Sequence, residues 1–433
     1  MKLRALLDEA RWTGPEFARA VNAEALESAL VTHYDRTNVA HWLAGSRPRG
    51  QTGRFLCRAL SRRLGREVRP EHVGLAEPSP DPATEHTRVR VDERLRELGK
   101  EEKLAGRDPR RLPYVPVPAL PDPERWPGPV RGGGRIGLDH VRSAESMVDL
   151  FAHADAAFGG GRVRSALASY LSVNIAEYLT CSSSPHAARR LLQAAGDLAY
   201  LAGFMAFDEN LHGVAQAYFR IAVRLSAESG DPVRHAIAVR QMSMQAHQLK
   251  NPRLALLFAE EAARNLSGLP AETAAFVLGQ EALALAATGE RRRALETLGR
   301  AERLLEAADG GGSQLGGYHL AAFTHQQAEV LAAVGDLPAA CGALAASLRL
   351  RPSQERRARM LTTARLAGLQ LARGRLEPAC STWDGFLDDY PQVSSARGDA
   401  ALRELRRSLR TYRREPAARR LLARAGRLCA ADA

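Results

Sequence analysis

Lysine, cysteine and aromatic residues are scarce in this chain of 433 residues. Only four of its 61 basic residues are lysines, aromatic side chains make up 6%, and the five scattered cysteines form no CxxC pair. This cysteine pattern argues against a disulfide framework and against a zinc site. No apolar run is long enough to cross a bilayer, and Asp8 and Glu9 interrupt the apolar stretch near the N-terminus. We therefore expect a cytoplasmic protein with no signal peptide, no membrane partner and no metal or other cofactor.

The motifs of common enzyme classes are also missing. The chain contains no GxSxG, no Walker A GxxxxGK[ST] and no HExxH. Gly132, Gly134 and Gly137 satisfy the string G-x-G-x-x-G, but a proline-rich stretch precedes them instead of a β-strand, so they indicate a flexible linker. His319 and His325 are six residues apart and face different sides of a helix. The sequence predicts a protein that is not an enzyme.

The excess positive charge lies at the two ends of the chain. Residues 1–75 contain 13 basic against 8 acidic side chains, and residues 397–433 contain 11 against 4, so together they account for the whole net charge of +12. A basic N-terminal region suits attraction to DNA phosphates. At the other end, arginines recur opposite Leu402, Leu405 and Leu409. A solvated face on capping helices is the favoured interpretation there, with a second nucleic-acid contact as the alternative.

A short helix between Tyr34 and Arg49 has the composition of a DNA reader. Its apolar residues recur at i, i+3 and i+4 and form one face: Val39, Trp42 and Leu43. Polar residues lie off that face, and basic residues follow the helix end: Arg36, Asn38 and His41, then Arg47 and Arg49 after Gly45. A helix packed on one side, with amide, imidazole and guanidinium groups on the other, suits the major groove of DNA.

The flanking residues supply the rest of a small helical bundle. The first helix is marked by Leu3, Leu6 and Leu7; the second is capped by Thr13 or Gly14, has Pro15 at its first position and buries Phe17, Ala18 and Val21; and the closing helix contains Phe55, Leu56, Ala59, Leu60 and Leu64. Together with the ending Trp42-x-x-Gly45-x-Arg47-Pro48-Arg49, the segment resembles the Cro/repressor-type (XRE-type) helix-turn-helix family. It departs from that family at Asn22–Asp35, which is much longer than the usual tight turn. The alternative is a bundle that binds protein rather than DNA.

From about Ala188 onward the chain is rich in alanine and leucine and repeats itself. We align it on five anchor residues: Ala217, Ala255, Ala294, Ala340 and Ala379. The period is near 39 residues, and a glycine-rich insertion at 310–317 lies within the longest interval, between Ala294 and Ala340. Small residues predominate twelve before each anchor, and mostly bulky ones lie four after. A turn is predicted about five residues before each anchor, at His212-Gly213, Lys250-Asn251-Pro252, Gly289, Gly335-Asp336 and Gly374. These columns indicate stacked helical hairpins.

The column pattern resembles the tetratricopeptide repeat, a helix-turn-helix unit of about 34 residues. The resemblance covers roughly Ala188 to Val393 and extends in degenerate form back to about Asp139. It implies an α-solenoid whose first helices line a concave groove. In the family the inward-facing positions lie eight, eleven and fifteen positions before the anchor. Here they include the candidate ligand contacts Glu209, Arg240, Met244, His247, His325 and Glu329. The alternative for each residue alone is an ordinary solvated side chain.

Proline marks the boundary between these two regions. Eleven of the 23 prolines lie between Pro78 and Pro129, which is typical of an extended linker. We therefore expect an all-α protein with a helix-turn-helix bundle at 1–75, a Pro/Gly-rich linker at 76–137 with a short helix at 89–104, a tetratricopeptide-like repeat domain at 138–396, and basic C-terminal capping helices at 397–433.

This layout resembles bacterial XRE/tetratricopeptide regulators, including the RRNPP quorum-sensing group and actinobacterial regulators of development and secondary metabolism. The resemblance implies a transcriptional regulator that binds double-stranded DNA and senses a peptide or protein partner in the repeat groove, as a homodimer. It also implies base contacts from Arg36, Thr37, Asn38 and His41 and phosphate contacts from Arg47 and Arg49. The alternative is a tetratricopeptide scaffold that binds proteins without sequence-specific DNA binding.

Overall fold

A computed structural model divides the chain into two compact units, Met1–His86 and Thr87–Ala433. The structure describes residues 2–27, 32–44, 48, 52–64, 68, 73, 90–105, 112–118, 120, 134–307 and 318–431. The regular elements of these residues are all helical, and their single β contact is an isolated bridge between Arg135 and Ser182. The all-α prediction is confirmed. None of the described helices is both long enough and apolar enough to cross a membrane.

The described part of the first unit contains four helices: α1 (Lys2–Glu9), α2 (Gly14–Glu27), α3 (Arg36–Leu43) and α4 (Thr52–Leu64). Glu16 stabilises the start of α2 by accepting hydrogen bonds from the backbone N–H and the hydroxyl of Thr13, at 2.8 and 2.6 Å. Fully buried side chains from α2, α3 and α4 form the core: Phe17, Val21, Val39, Leu56 and Leu60. The predicted apolar faces of these three helices are therefore the faces that pack together.

The second helix is longer than the sequence interpretation allowed. Its buried face continues through Ala25, so α2 ends at Glu27, and only residues 28–35 separate it from α3. The first six of the fourteen residues of the expected insertion at Asn22–Asp35 are thus helix. Asn22 then holds the returning chain: its side-chain Nδ2 donates to Tyr34 O at 2.8 Å, and its Oδ1 accepts from Tyr34 N and Thr32 Oγ1, both at 2.9 Å.

In the second unit, three helical segments precede a series of helical hairpins. The preceding segments are α5 (Val91–Ala105), α6 (Leu138–Phe158) and α7 (Gly160–Tyr170), which continues through a π-helical turn (Leu171–Ile175) into α8 (Ala176–Tyr178). Six pairs follow: α9 (Pro185–Asp208) with α10 (His212–Glu228), α11 (Pro232–Gln248) with α12 (Pro252–Ala262), α13 (Ala271–Ala287) with α14 (Arg291–Glu306), α15 (Leu320–Ala333) with α16 (Leu337–Leu350), α17 (Arg356–Ala372) with α18 (Leu376–Asp389), and α19 (Ala396–Leu409) with α20 (Pro416–Ala431).

The turns within the first five hairpins share one backbone feature. Each contains a residue with positive φ: Asn210 (58°), Lys250 (58°), Gly289 (89°), Gly335 (90°) and Gly374 (73°). The last four of these residues lie five positions before the predicted anchors. A left-handed residue at this place ends one helix and lets the next begin.

The common turn corrects the register of the first repeat. Five residues after Asn210 comes Ala215, which is fully buried, whereas the predicted anchor Ala217 is only half-buried. The alignment of the first repeat was therefore wrong by two residues. In the corrected register the residues twelve before the anchors are all small: Gly203, Ser243, Ala282, Ala328 and Ala367. They must be small because the helices are close; a Cβ on Gly203 would lie 2.6 Å from the Phe219 ring.

The region expected to be a linker contributes packed structure to the second unit. The helix predicted at 89–104 occurs as α5, and its fully buried residues Leu95 and Leu98 join the main core of that unit. Further along, Leu112 to Pro118 lies against α10, where Gln216 pairs with the backbone of Val115: its Oε1 accepts from Val115 N at 3.0 Å, and its Nε2 donates to Val115 O at 2.6 Å. At least these parts of the segment 76–137 are not a free linker.

The solenoid of the second unit closes on itself. Helix α6 packs against α17, which lies far away along the chain. Arg357 donates to Asp155 at 2.8 Å, and the backbone joins at a second place, where Ser394 N donates to Phe158 O at 2.8 Å. The first helices of the hairpins, α9, α11, α13, α15 and α17, carry the inward-facing positions of the repeats, and we call the face formed by these positions the inner surface. Beyond it, α19 and α20 pack on α17 and α18 and bury Leu402, Leu405 and Leu409, as expected of capping helices.

Candidate nucleic-acid surface and inner ligand surface

One face of α3 is fixed in the core and the opposite face is open. Val39 is 1% exposed, and the Trp42 ring makes edge contacts with Tyr34 and Phe17, with centroids 5.2 and 6.5 Å apart. Three of the predicted DNA-contacting residues are exposed: Thr37 and His41 lie opposite the buried face, and Arg36 lies at its edge, where its Cγ and Val39 are near Gly14. Their hydroxyl, imidazole and guanidinium groups are thus presented by a helix that is packed from behind, as base-edge contacts require.

The fourth predicted base-contacting residue, Asn38, also closes the start of α3. Asp35 Oδ1 accepts from Thr37 N at 2.8 Å and from Asn38 N at 3.0 Å, and Asn38 Oδ1 accepts from Asp35 N at 3.0 Å. This is a reciprocal capping box, with Asn in place of the usual Gln or Glu. The oxygen of Asn38 is occupied within the helix start, while its side-chain NH₂ group is not part of the cap. The remaining predicted DNA contacts, Arg47 and Arg49, lie outside the described residues.

Two contacts outside α3 set its position. Asn22 on α2 binds the backbone of Tyr34 on both sides, as described above, and the Tyr34 hydroxyl lies 2.7 Å from Thr52 Oγ1 at the start of α4. Neither Asn22 nor Tyr34 was predicted as a site residue. The sequence carried little signal for this pairing, because α2 also contains Glu16, Arg19 and Glu24 and the pairing joins residues twelve apart.

Five of the six predicted groove residues lie on the inner surface, and Glu209 does not. Because the first repeat is shifted by two, Glu209 falls at the turn after α9, where its Oε1 accepts from Ala396 N at 3.2 Å. The residues that replace it in the inward-facing positions of the first repeat, counted from Ala215, are aromatic: Phe207, Phe204 and Tyr200. The prediction of Glu209 as a groove residue is corrected on this ground.

One part of the inner surface is an internally paired polar cluster. Glu329 accepts two hydrogen bonds from Arg365, at 2.7 and 2.8 Å, and His325 Nδ1 lies 3.0 Å from Thr362 Oγ1. Burial lowers the pKa of His325 to about 4, and burial also lowers the pKa of His247. Both imidazoles are therefore neutral at pH 7. The carboxylate of Glu329 influences His247 on the second repeat as well as His325 on its own helix, so these repeats face each other here.

A second part combines arginines with aromatic rings. Arg240 Cζ lies 3.8 Å from the centroid of Phe276, Arg357 Cζ lies 4.7 Å from that of Phe204, and Arg397 Cζ lies 5.3 Å from that of Phe207. Such contacts are favourable between a cation and the face of a ring. Arg357 also pairs with Asp155, whereas Arg240 forms no ion pair with a described carboxylate. The inner surface is thus mixed in charge, as predicted. Part of it is cationic and aromatic, which the predicted alignment of the first repeat did not indicate because it was wrong by two residues.

A buried ladder of amides supports this surface. Gln280 Nε2 donates to Ser243 Oγ at 3.1 Å, Gln326 Nε2 donates to Gln280 Oε1 at 3.4 Å, and Tyr318 OH donates to Gln326 Oε1 at 2.8 Å. Gln241, Gln280 and Gln326 occupy the same position of successive repeats, fourteen before the anchor. This recurrence is visible in the sequence. Gln280 and Gln326 link α11, α13 and α15 to one another, whereas Gln241 contacts Arg240 and Met244 of its own helix.

No group of three or more His, Cys, Asp or Glu side chains placed to hold a metal ion occurs among the described residues. Among known families, the model of the SP15 N-terminal domain matches residues 3–76, which covers α1 to α4. None of the curated proteins compared with the chain matches it.

Proposed function

We propose that the protein is a transcriptional regulator. Its first unit binds double-stranded DNA through α3, and its second unit binds a peptide or protein segment on the inner surface. The observation that carries the proposal is the exposure of Arg36, Thr37 and His41 on a helix that buries Val39 in the core. The resemblance of the sequence to XRE-type regulators with tetratricopeptide repeats supports the same assignment.

The chemistry of α3 assigns a role to each exposed group. The fork of Arg36 suits the O6 and N7 acceptors of guanine, and Thr37 and His41 offer shorter polar contacts one turn apart. Asn38 retains its NH₂ donor for a base acceptor, although its oxygen is engaged by the backbone N–H of Asp35. A ligand on the inner surface would regulate DNA binding by favouring one conformer of the protein over another.

Selection of bound DNA from a random pool by the full-length protein tests the DNA-binding proposal. We expect one enriched motif, and we expect Arg36→Ala to cost about 1–3 kcal/mol of binding at one base position of it. Arg4→Ala, which removes an equal charge from an exposed position on α1, is the matched control and should lower affinity evenly across sequences. Two half-sites in the motif, about 10–10.5 base pairs apart, would indicate the expected homodimer.

The scaffold without sequence-specific DNA binding is the second candidate. It is favoured by the capping role of Asn38, because the bond from Asp35 N holds the amide at the start of α3 and leaves one lone pair of its oxygen for a two-point contact with adenine. In that case the random pool gives no motif, and Arg36→Ala and Arg4→Ala have the same small effect on DNA affinity. Either of these two outcomes rejects the regulator.

A further inference from the structure

Arg240 is a buried cation that has no counter-ion among the described residues. It lies on α11 with 6% of its surface exposed, and its Nη1 contacts neutral acceptors, Gln241 Oε1 at 3.1 Å and Met244 Sδ at 3.6 Å. Its Nε is buried and has no hydrogen-bond partner in the described part of the chain. Burial lowers the pKa of Arg240, and its electrostatic neighbours are the hydroxyls of Tyr200 and Tyr318. Burying an unpaired charge is costly, so a feature of this kind needs a reason.

Three other arginines near the inner surface differ from Arg240 in this respect. Arg357 pairs with Asp155, Arg365 with Glu329 and Arg351 with Glu355, at 2.8, 2.7 and 2.6 Å. Their charges are compensated inside the protein. The charge of Arg240 is instead met by the face of Phe276, 3.8 Å away, which offsets part of the cost of removing the guanidinium from water.

Aromatic side chains surround Arg240. In the row of equivalent positions on the inner surface, Arg240 lies between Tyr200 of the first repeat and Gly279 of the third, where a Cβ would lie 2.5 Å from Gln326 Oε1 and 2.7 Å from Tyr318 OH. Tyr200 and Phe204 are parallel rings 6.4 Å apart, and both are partly exposed, as are Met244 and Phe276. Aromatic and thioether surfaces around a single cation suit a ligand that is apolar with one anionic group.

We propose that Arg240 is the anchor for the carboxylate of a bound peptide, with an apolar side chain of that peptide against Tyr200, Phe204 and Phe276. The proposal rests on the ligand-binding half of the function proposed above and specifies its ligand. The guanidinium would gain the charge-assisted hydrogen bonds that the described residues do not supply. The carboxylate can belong to the C-terminus of the peptide or to an Asp or Glu side chain.

Three pools of random pentapeptides distinguish these sources in equilibrium dialysis against the full-length protein. The first pool has free C-termini and no Asp or Glu, the second is amidated and contains Asp and Glu, and the third is amidated and lacks both. We expect retention from the first pool for a C-terminal anchor or from the second for a side-chain anchor. In either case the third should be retained about 10- to 100-fold less.

Arg240→Met separates a binding role from a structural one. Because the substitution removes an unpaired buried charge and keeps an unbranched apolar chain near Phe276, the melting temperature without peptide should be unchanged or higher. Peptide retention should fall to the level of the third pool. Arg253→Met, at an exposed position on α12, is the control and should alter neither.

The results that would contradict the carboxylate anchor differ from those that would contradict peptide binding. Equal retention of all three pools, by the wild type and by Arg240→Met alike, would overturn the carboxylate anchor and leave peptide binding in place. No retention from any pool would overturn the ligand-binding half of the proposed function and the anchor with it. A lower melting temperature of Arg240→Met with unchanged peptide retention would make Arg240 a structural residue and overturn the anchor alone.

Discussion

A few polar side chains determine the position and orientation of α3. Asn22 forms three hydrogen bonds of 2.8–2.9 Å to Tyr34 and Thr32, and these bonds bring the chain back from the end of α2 to the start of α3. Asp35 then caps α3, and the apolar residues Val39 and Trp42 set which face turns inward. The orientation of the proposed DNA-binding face thus depends on residues outside that face.

Asn22→Ala should destabilise the first unit by about 1–3 kcal/mol, since it removes both partners from the backbone of Tyr34 at a half-buried position. Chemical denaturation followed by the fluorescence of Trp12 and Trp42 measures this change. Ala23→Ser, at the exposed neighbouring position, is the control and should stay within about 0.5 kcal/mol. A loss as small as that of the control would mean that Asn22 does not hold the chain before α3.

At this scale the sequence predicted which residues of α3 are buried and which are open, because a period of 3.6 residues assigns faces directly. It could not predict that Asn38 binds the backbone of Asp35. An Asn three residues after an Asp fits a capping box and also fits a base contact, and only the geometry of the helix start shows the first.

At the scale of elements, the turn residues with positive φ determine how the repeats align with one another. Four of the five anchors were predicted correctly because Gly289, Gly335, Gly374 and the Lys250-Asn251-Pro252 turn stand out in the sequence. The first was wrong by two because His212-Gly213 looked like the turn, whereas Asn210 is the left-handed residue. Gly213 is a glycine for another reason. A Cβ there would lie 1.7 Å from Leu112 O, so it marks a close approach of the Leu112–Pro118 segment.

Gly213→Ala should therefore displace that segment from α10. The expected result is faster amide exchange at Tyr114 and Val115 in hydrogen–deuterium exchange, because the Val115 N–H loses its bond to Gln216. The phenol of Tyr114, whose pKa burial raises to about 12, should return toward its ordinary value of about 10. Gly342→Ala, in a helix with open space around it, should leave both unchanged and stabilise its helix by about 0.5–1 kcal/mol. Unchanged exchange at Val115 in Gly213→Ala would show that the segment tolerates the methyl group.

At the scale of the whole molecule, charge and closure are the properties that matter. The net positive charge at the two ends of the chain could be counted from the sequence, but the contacts that close the solenoid could not be predicted from it. These contacts join Asp155 to Arg357 and Phe158 to Ser394, and no local periodicity connects residues so far apart. Arg357, which joins these two parts of the chain, is buried together with Asp208 beside it.

The Asp155–Arg357 pair should be strongly coupled to the stability of the second unit. Arg357→Met alone leaves the carboxylates of Asp155 and Asp208 buried without their nearest cation, and the expected cost is about 3–5 kcal/mol. Adding Asp155→Leu removes one of these carboxylates, so the double variant should be more stable than the sum of the single losses by about 1–3 kcal/mol. The same cycle on the more exposed pair Arg424 and Asp384 should give less than about 1 kcal/mol. Because the pair joins α6 to α17, hydrogen exchange in the Arg357→Met variant should rise in both helices together. Exchange that rises in only one of them, or strictly additive losses, would show that the solenoid is stable without closure, and the inner surface would then be an open groove.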